Sequence, residues 1–234
     1  MIAIIDYGIG NLRSVQKALE HIGAPVQRIT DPDALRTAEA MVLPGVGAFG
    51  ECATNFRAAG FEPVLRERIA AGIPLLGICV GLQLLFEESE ETLDLADPTG
   101  EERQPGLGIF PGQVRRFPDG MTDGRGHPLK IPQIGWNQIH HDETHPLLEG
   151  VPSGSYVYFV HSYYCELADP SLVIATTDYG IDYASVCGRE HVWGIQFHPE
   201  KSHRVGLRIL QNFVKLTRAG IPTSGVAARK TWSL

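Results

Sequence analysis

A cysteine between two glycines is the residue of this sequence best suited to act as a nucleophile. The run LLGICVGLQ at residues 75–83 predicts an apolar strand that turns sharply into a helix, with Cys79 at the turn and its sulfur exposed. Gly77 and Gly81 permit the close backbone approach that such an elbow needs, and a helix N-terminus favours the thiolate. Because cysteine is often buried, a purely structural core strand is the alternative interpretation of this motif.

A histidine followed two residues later by a carboxylate supplies the base that a thiol nucleophile requires. The run FHPEKS at residues 197–202 ends an apolar strand at His198. Pro199 disfavours helical geometry at His198, so we expect an extended segment in which His198 and Glu200 point the same way. Cys79, His198 and Glu200 therefore form a predicted catalytic triad.

A glycine-rich segment follows another short apolar strand and offers backbone N–H groups to a ligand. It reads PGVGAFG at residues 44–50, and an ordinary glycine-rich turn is the alternative. A phosphate-binding loop is excluded because Gly50 is followed by glutamate, where the P-loop pattern has lysine.

Two further patterns have some features of a cofactor or metal site but lack the required residues or spacing. Gly8 and Gly10 follow a strand as in a dinucleotide-binding turn, but Arg13 stands where the third glycine is required. The run HHDETH at residues 140–145 fits no zinc spacing and predicts a polar loop. The four cysteines form no C-x-x-C pair, so we predict neither a disulfide framework nor a metal, and no cofactor.

Composition narrows the class of protein. The chain has 234 residues, one α/β domain's worth, and its net charge of −7 argues against nucleic acid as a partner. It contains no apolar run of about 18 residues, so we expect no membrane span, and its N-terminus begins with a strand where a signal segment would be basic. A cytoplasmic protein is expected.

The elements that must position these residues alternate between strand and helix in the first half of the chain. Strands are predicted at 2–6, 26–29, 41–43 and before Cys79, with helices at 12–21 and 58–71 and after Cys79. This alternation predicts a parallel sheet with the nucleophile at the carboxyl end of a central strand. The second half is β-rich, with strands predicted at 114–117, 138–140, 155–164, 173–177, 184–188 and 192–197, and a closing helix at 205–217.

Two polar segments complete the predicted organisation. Residues 118–128 are polar and rich in glycine, which predicts a solvent-exposed loop. We expect one domain over 1–220, followed by a flexible tail over 221–234 that lacks apolar periodicity.

These motifs resemble those of the class I glutamine amidotransferases and, within that family, the glutaminase subunits of imidazole glycerol phosphate synthase. The resemblance spans nearly the whole chain and includes, besides the runs around Cys79 and His198, the stretches DYGIGNL (6–12), PGVG (44–47), LLFEESE (84–90), GWN (135–137) and YFVHSY (158–163). It implies a single α/β domain with a central, mostly parallel sheet flanked by helices and a β-rich C-terminal half.

The resemblance implies hydrolysis of the side-chain amide of L-glutamine to glutamate and ammonia. Cys79 would attack the carbonyl carbon, His198 would carry the proton, and Glu200 would orient His198. Backbone N–H groups of Val46 and Val80 would hold the oxyanion. The family's glutamine-binding positions correspond to Gly47, Gln83, Glu91, Ser162 and Tyr163. For Glu91 the alternative is a solvated acidic helix end.

The resemblance also implies a partner that receives the ammonia through a channel. This partner would be the cyclase subunit, a (β/α)8 barrel that forms a heterodimer with the chain and makes imidazole glycerol phosphate and the aminoimidazole carboxamide ribonucleotide in L-histidine biosynthesis. We expect Asn11, Trp136, Tyr163 and Lys201 at the contact surface, although both aromatic residues also fit a core position. The loop containing Asn11 is expected beside the oxyanion segment, within hydrogen-bonding reach of it.

Three alternative functions remain open from the sequence. One is the glutaminase subunit of pyridoxal phosphate synthase, against which the stretch DYGIGNL argues. Another is a cysteine peptidase or γ-glutamyl hydrolase with a similar elbow, which would not need the pocket around Gln83. The third is a catalytically silent regulatory subunit, against which the intact Cys79, His198 and Glu200 argue.

Overall fold

Five parallel strands form one side of the main sheet. The computed structural model describes residues 1–91 and 103–219, and its strands and helices are numbered here in chain order. Apart from the edge strand, which contains the exposed Gln27 and Arg28, these five strands consist of apolar residues and glycine and are buried, as expected of a parallel sheet covered on both faces. In chain order they are β1 (Ile2–Ile5), β2 (Val26–Ile29), β3 (Ala40–Gly45), β4 (Leu75–Cys79) and β13 (Val192–Ile195), and they lie in the order β2-β1-β3-β4-β13.

The second half of the chain extends this sheet mainly with antiparallel pairs. The additional strands are β5 (Phe86–Ser89), β6 (Gln104–Pro105), β7 (Phe110–Arg116), β10 (Tyr163–Leu167), β11 (Val173–Asp178) and β12 (Asp182–Arg189). From β13 the order continues β12-β10-β7-β5-β6, and β11 pairs with β12. The mainly parallel α/β sheet with a β-rich second half confirms the predicted fold class.

A separate two-stranded ribbon consists of β8 (Gln133–Ile139) and β9 (Ser155–His161), paired antiparallel. The single strand predicted over 155–164 was wrong, because the chain leaves the ribbon at Ser162 and enters the main sheet as β10. The strand predicted at 138–140 overlaps only the last two residues of β8. A run rich in aromatic and β-branched residues on both sides of Ser162 hides the change of sheet, since β propensity does not indicate which partner a strand takes.

The described part of the chain contains five α-helices: α1 (Leu12–His21), α2 (Phe49–Ala58), α3 (Phe61–Ala70), α4 (Val80–Gln83) and α5 (His203–Ala219). The helix predicted over 58–71 corresponds to α3, whereas α2 was missed. Its buried residues Phe49, Cys52, Ala53 and Phe56 do repeat at helical spacing. The glycines before Phe49 favour a loop, and this signal obscured the helical spacing of the residues that follow.

The predicted polar loop at 118–128 is mostly exposed, with Met121 buried beneath it. The predicted tail at 221–234 lies outside the described residues. Among the residues that the structure describes, no helix has the length and apolar character needed to cross a membrane.

Candidate active site

The chain makes a strained turn at Cys79, where β4 ends and α4 begins. Cys79 has φ +55° and ψ −114°, a conformation that residues with a side chain rarely adopt. A Cβ on Gly81 would overlap the carbonyl oxygen of Leu43, and a Cβ on Gly77 would lie 2.7 Å from the carbonyl oxygen of Gly81. The two glycines are therefore required where the motif predicted close backbone approach, and the turn has the geometry of a nucleophile elbow.

Two expectations about Cys79 need correction. The residue is only 3% exposed, although it lines an open cavity. The helix that follows it has four residues, Val80–Gln83. Because a single turn sums few peptide dipoles, the helix contributes little to stabilising a thiolate.

His198 and Glu200 are in contact and almost completely buried. His198 Nδ1 lies 2.9 Å from Glu200 Oε1, and Asn11 Nδ2 donates to the same oxygen at 3.1 Å. His198 has the extended conformation predicted for a residue before proline, but Pro199–Lys201 forms a 3-10 turn in place of the expected extended segment. The carboxylate therefore reaches the imidazole across a tight turn, and Asn11 binds it in place of the oxyanion segment.

The surroundings of His198 favour the protonated form of its imidazole. Burial by itself lowers the pKa of His198, but hydrogen bonding and charge from Cys79 and Glu200 outweigh that effect and raise the pKa to about 9. In the described part of the chain, Nε2 of His198 is buried and has no partner that meets strict hydrogen-bond geometry. Since Nδ1 is taken by Glu200, Nε2 is the nitrogen available to exchange a proton with the Cys79 sulfur.

The carboxyl end of β3 lies beside the elbow, because its last residue, Gly45, is paired with Cys79. The hydroxyl of Tyr7 donates to Pro44 O at 2.8 Å, and the thiol of Cys52 donates to Val46 O at 3.4 Å. Burial raises the pKa of Tyr7 and raises that of Cys52 to about 11, so both groups stay protonated at neutral pH and remain donors.

The residues predicted to bind glutamine meet around one cavity. Its lining includes the predicted nucleophile Cys79, its base His198, the predicted oxyanion residues Val46 and Val80, and all five predicted glutamine-binding residues, Gly47, Gln83, Glu91, Ser162 and Tyr163. Ser162 and Tyr163 lie where the chain changes sheet. The sheet change therefore brings a backbone segment to the cavity edge.

Glu91 is not part of a solvated helix end. The acidic run before it forms strand β5, and Oε2 of Glu91 accepts a 2.7 Å hydrogen bond from the backbone N–H of Phe49. Burial raises the pKa of Glu91, an effect that the Phe49 N–H opposes. A partly buried carboxylate at the edge of the cavity is thus fixed against the first residue of α2.

The structure adds two buried polar residues that the motifs did not single out. Gln196 is completely buried, and its amide lies against both Gln83 and Cys79. His161 lies against Tyr163 O at 2.8 Å, and burial lowers its pKa to about 4. A signal for Gln196 was present, because a residue two positions before His198 shares its side of an extended chain.

The residues predicted at a partner surface fall into two groups. Asn11, Tyr163 and Lys201 line the cavity. Trp136 lies apart, on the exposed face of the β8–β9 ribbon, where it stacks on the ring of His203. Its exposed neighbours on the ribbon are Ile134 and Tyr156.

The histidine-rich run at residues 140–145 uses its ring nitrogens in local turns. His141 Nδ1 accepts from the N–H of Glu143, and His145 Nδ1 accepts from the N–H of Leu147. Over residues 1–91 and 103–219, no three histidine, cysteine or carboxylate side chains converge as a metal site would require.

Comparison with known proteins shows which family the sequence belongs to. The model of the class-I glutamine amidotransferases matches residues 3–216. Three similar proteins carry the name imidazole glycerol phosphate synthase subunit HisH. The one from Syntrophotalea carbinolica is 50% identical over 91% of this chain and 98% of that protein, the one from Methylococcus capsulatus 48% over 92% and 95%, and the one from Chloroflexus aurantiacus 47% over 95% and 99%.

Solved structures agree on the fold. A glutamine amidotransferase crystal structure superposes with a TM-score of 0.67 at 21% identity, covering 93% of this chain and 98% of that one. The structure of PurLQS from Thermotoga maritima gives a TM-score of 0.67 at 16% identity, covering 92% and 97%. The family match and the three relatives confirm the resemblance seen in the motifs, and the chain belongs to the class I glutamine amidotransferases and, within them, to the family of imidazole glycerol phosphate synthase subunit HisH.

Proposed function

We propose that this protein hydrolyses the side-chain amide of L-glutamine with a triad of Cys79, His198 and Glu200. The observation that carries the proposal is the 2.9 Å contact between His198 Nδ1 and Glu200 Oε1 beside the strained turn at Cys79. The pKa of His198, raised to about 9 by hydrogen bonding and charge from Cys79 and Glu200, favours an imidazolium beside the Cys79 sulfur at neutral pH.

The reaction proceeds in two halves. The thiolate of Cys79 attacks the amide carbonyl carbon, and His198 Nε2 gives its proton to the departing nitrogen, so that ammonia leaves and a thioester remains. A water molecule then gives a proton to His198 and attacks the thioester, releasing glutamate and restoring the thiolate. Glu200 keeps the imidazole oriented and stabilises its positive charge throughout.

The developing oxyanion is held by backbone N–H groups of Val46 and Val80. Losing one such donor costs about 3 kcal/mol of transition-state stabilisation in comparable enzymes. Gly47, next to Val46, has φ +87°, and the glycines on both sides of Val46 permit the Gly45–Val46 peptide to turn, so that its N–H points away from the site until a partner fixes it. We therefore propose that the isolated chain is a very poor glutaminase.

The amino-acid end of glutamine is held at the other side of the cavity. The carboxylate of Glu91 attracts the substrate's ammonium group, with the Phe49 N–H fixing its direction. Gln83, Gly47 and the backbone at Ser162 and Tyr163 complete the pocket. This arrangement directs the side-chain amide toward Cys79.

The ammonia passes to a cyclase subunit of (β/α)8-barrel type, which completes a heterodimer and makes imidazole glycerol phosphate in L-histidine biosynthesis. Support comes from the relatives, which are named as subunits of imidazole glycerol phosphate synthase. Asn11, Trp136, Tyr163 and Lys201 are the proposed contacts, and the exposed ring of Trp136 suits an interface anchor. For such a biosynthetic enzyme, the cytoplasm is the proposed compartment.

The test measures glutamate release from glutamine by the chain alone, with the same organism's cyclase subunit, and with that subunit and its nucleotide substrate. We expect release at a high rate only in the complete mixture, and none with Cys79→Ala, which should still bind the cyclase. Rapid hydrolysis by the free chain would refute partner gating. Failure of the cyclase to stimulate Cys79-dependent release would refute the proposed partner.

A further inference from the structure

The side chain of Gln196 lies directly beside the predicted nucleophile. Strands β13 and β4 are parallel neighbours, with Ile195 opposite Ile78, so Gln196, the first residue after β13, follows beside Cys79, the last residue of β4. Gln196 is completely buried, and its Nε2 lies 3.8 Å from Cys79 Sγ, within hydrogen-bonding distance for sulfur. A glutamine amide buried at this point needs polar partners, because an unpaired amide in the interior is costly.

The direction in which the Gln196 amide points follows from a backbone carbonyl. Gln83 lies 3.1 Å from Tyr163 O, and because a carbonyl oxygen only accepts, the Gln83 atom facing it is the donor Nε2. The same Nε2 lies 3.2 Å from Gln196, so the Gln196 atom facing it is the acceptor Oε1. The Gln196 atom that remains for the sulfur is Nε2, which donates.

We propose that Gln196 is a further catalytic residue of this site, donating a hydrogen bond from Nε2 to the Cys79 thiolate while its Oε1 holds Gln83 at the glutamine pocket. The proposal rests on the proposed glutaminase function for its consequence and on the Tyr163–Gln83–Gln196–Cys79 contacts for its geometry. It connects the pocket and the nucleophile through one buried pair of amides.

The donor acts on both halves of the reaction. A hydrogen bond to a charged acceptor is stronger than one to a neutral acceptor, so Nε2 favours the thiolate over the thiol and over the thioester. It therefore increases the fraction of Cys79 that is ready to attack. It also stabilises the thiolate that leaves when water cleaves the thioester.

The test follows alkylation of Cys79 by iodoacetamide in the full-length protein across pH, with the modified residue identified by peptide mass spectrometry. Gln196→Met keeps the side-chain length and removes the donor. In Gln196→Met we expect the midpoint of the plot of alkylation rate against pH to rise by about one pH unit. At pH values below the midpoint, this shift corresponds to a tenfold smaller fraction of thiolate. Because a less stabilised thiolate is more nucleophilic, the high-pH plateau should rise about threefold while the low-pH rate falls about threefold.

This crossing of the two profiles distinguishes a donor from a merely structural residue. The matched control is Asn212→Leu, which removes another buried amide that binds the carbonyl oxygens of Leu147 and Glu149. It should lower stability without moving the alkylation midpoint. Gln196→Glu introduces a negative charge beside the sulfur and should move the midpoint further upward than Gln196→Met.

The outcomes separate this proposal from the proposed glutaminase function. Unchanged alkylation profiles in folded Gln196 variants would overturn the role of Gln196, whatever the glutaminase assay shows. A shifted profile in a protein that releases no glutamate even in the complete mixture with the cyclase subunit and its nucleotide substrate would uphold the contact and refute the reaction. If the variants do not fold, the Nε2 resonance of Gln196 in the native protein should titrate with the alkylation midpoint and lose that titration in Cys79→Ala, and a resonance insensitive to pH would overturn the proposal.

Discussion

The hydroxyl of Tyr7 donates a 2.8 Å hydrogen bond to the backbone carbonyl oxygen of Pro44. Two residues further along, the carbonyl oxygen of Val46 accepts from the thiol of Cys52. The peptide groups on either side of the Gly45–Val46 peptide are therefore both held by side chains from other elements. This holds the flanks of the peptide that carries the Val46 N–H, one of the two proposed oxyanion donors.

Tyr7→Phe removes the donor to Pro44 and leaves the ring in place. We expect kcat of the activated complex to fall about tenfold with KM unchanged, because an oxyanion donor is used only in the transition state. Tyr179→Phe is the matched control, since Tyr179 donates in the same way to Lys130 O at 2.8 Å outside the cavity. Steady-state kinetics would contradict the anchoring role of Tyr7 if the two variants had equal kcat values.

Gly81→Ala tests the close packing behind the elbow. The added Cβ would overlap the carbonyl oxygen of Leu43, so β3 and the elbow must move apart. We expect a loss of about 3 kcal/mol in the free energy of unfolding, measured with urea, together with loss of Cys79-dependent hydrolysis. Gly124→Ala adds the same methyl group in open space and should leave both quantities unchanged.

Glu91→Gln tests how the cavity recognises the amino-acid end of glutamine. The amide oxygen can still accept from the Phe49 N–H, whereas the negative charge is lost. We expect KM for glutamine to rise about tenfold with kcat within twofold, since the charge binds ground state and transition state alike. Glu51→Gln removes an exposed charge from the first turn of α2 and should leave KM unchanged. A decrease in kcat at constant KM would instead give Glu91 a role in the chemical step.

The sequence predicted the parts of the site that depend on neighbouring residues. Cys79 between its glycines and His198 before Pro199 carry their backbone geometry in local motifs, and the alternation of strands and helices predicted the parallel sheet. The position of the nucleophile at the end of a central strand followed from that topology. These features require no knowledge of which distant segments meet.

Sequence patterns did not predict the contacts between segments that are distant along the chain. Asn11 binds Glu200 across 189 positions, and Gln83 meets Gln196 across 113, distances over which propensity carries no information. The change of sheet at Ser162 was hidden because aromatic residues of high β propensity occur on both sides of it. At the 3-10 turn of Pro199–Lys201, the buried Ser202 hydroxyl donates to His198 O at 2.6 Å, a contact that the spacing of residues did not predict.

His161 gives the protein a predictable loss of stability in acid. Burial lowers the pKa of His161 to about 4 in the folded protein, below the 6.5 of an ordinary histidine, so the unfolded chain takes up a proton first as pH falls. The free energy of unfolding is unaffected by the titration of His161 above pH 6.5 and decreases as pH falls from 6.5 to about 4. The decrease is about 2 kcal/mol at pH 5 and about 3 kcal/mol at pH 4.

Urea unfolding at pH 7.5, 6 and 5 measures this decrease. In His161→Asn, whose amide can replace the Nδ1–H donor to Tyr163 O, the free energy of unfolding should depend less on pH by the same amount. Because His141 and His145 also have lowered pKa values and remain in both proteins, only the difference between the two profiles reports on His161. If the free energy of unfolding changed equally with pH in the two proteins, His161 would have the ordinary pKa of a histidine in the folded state.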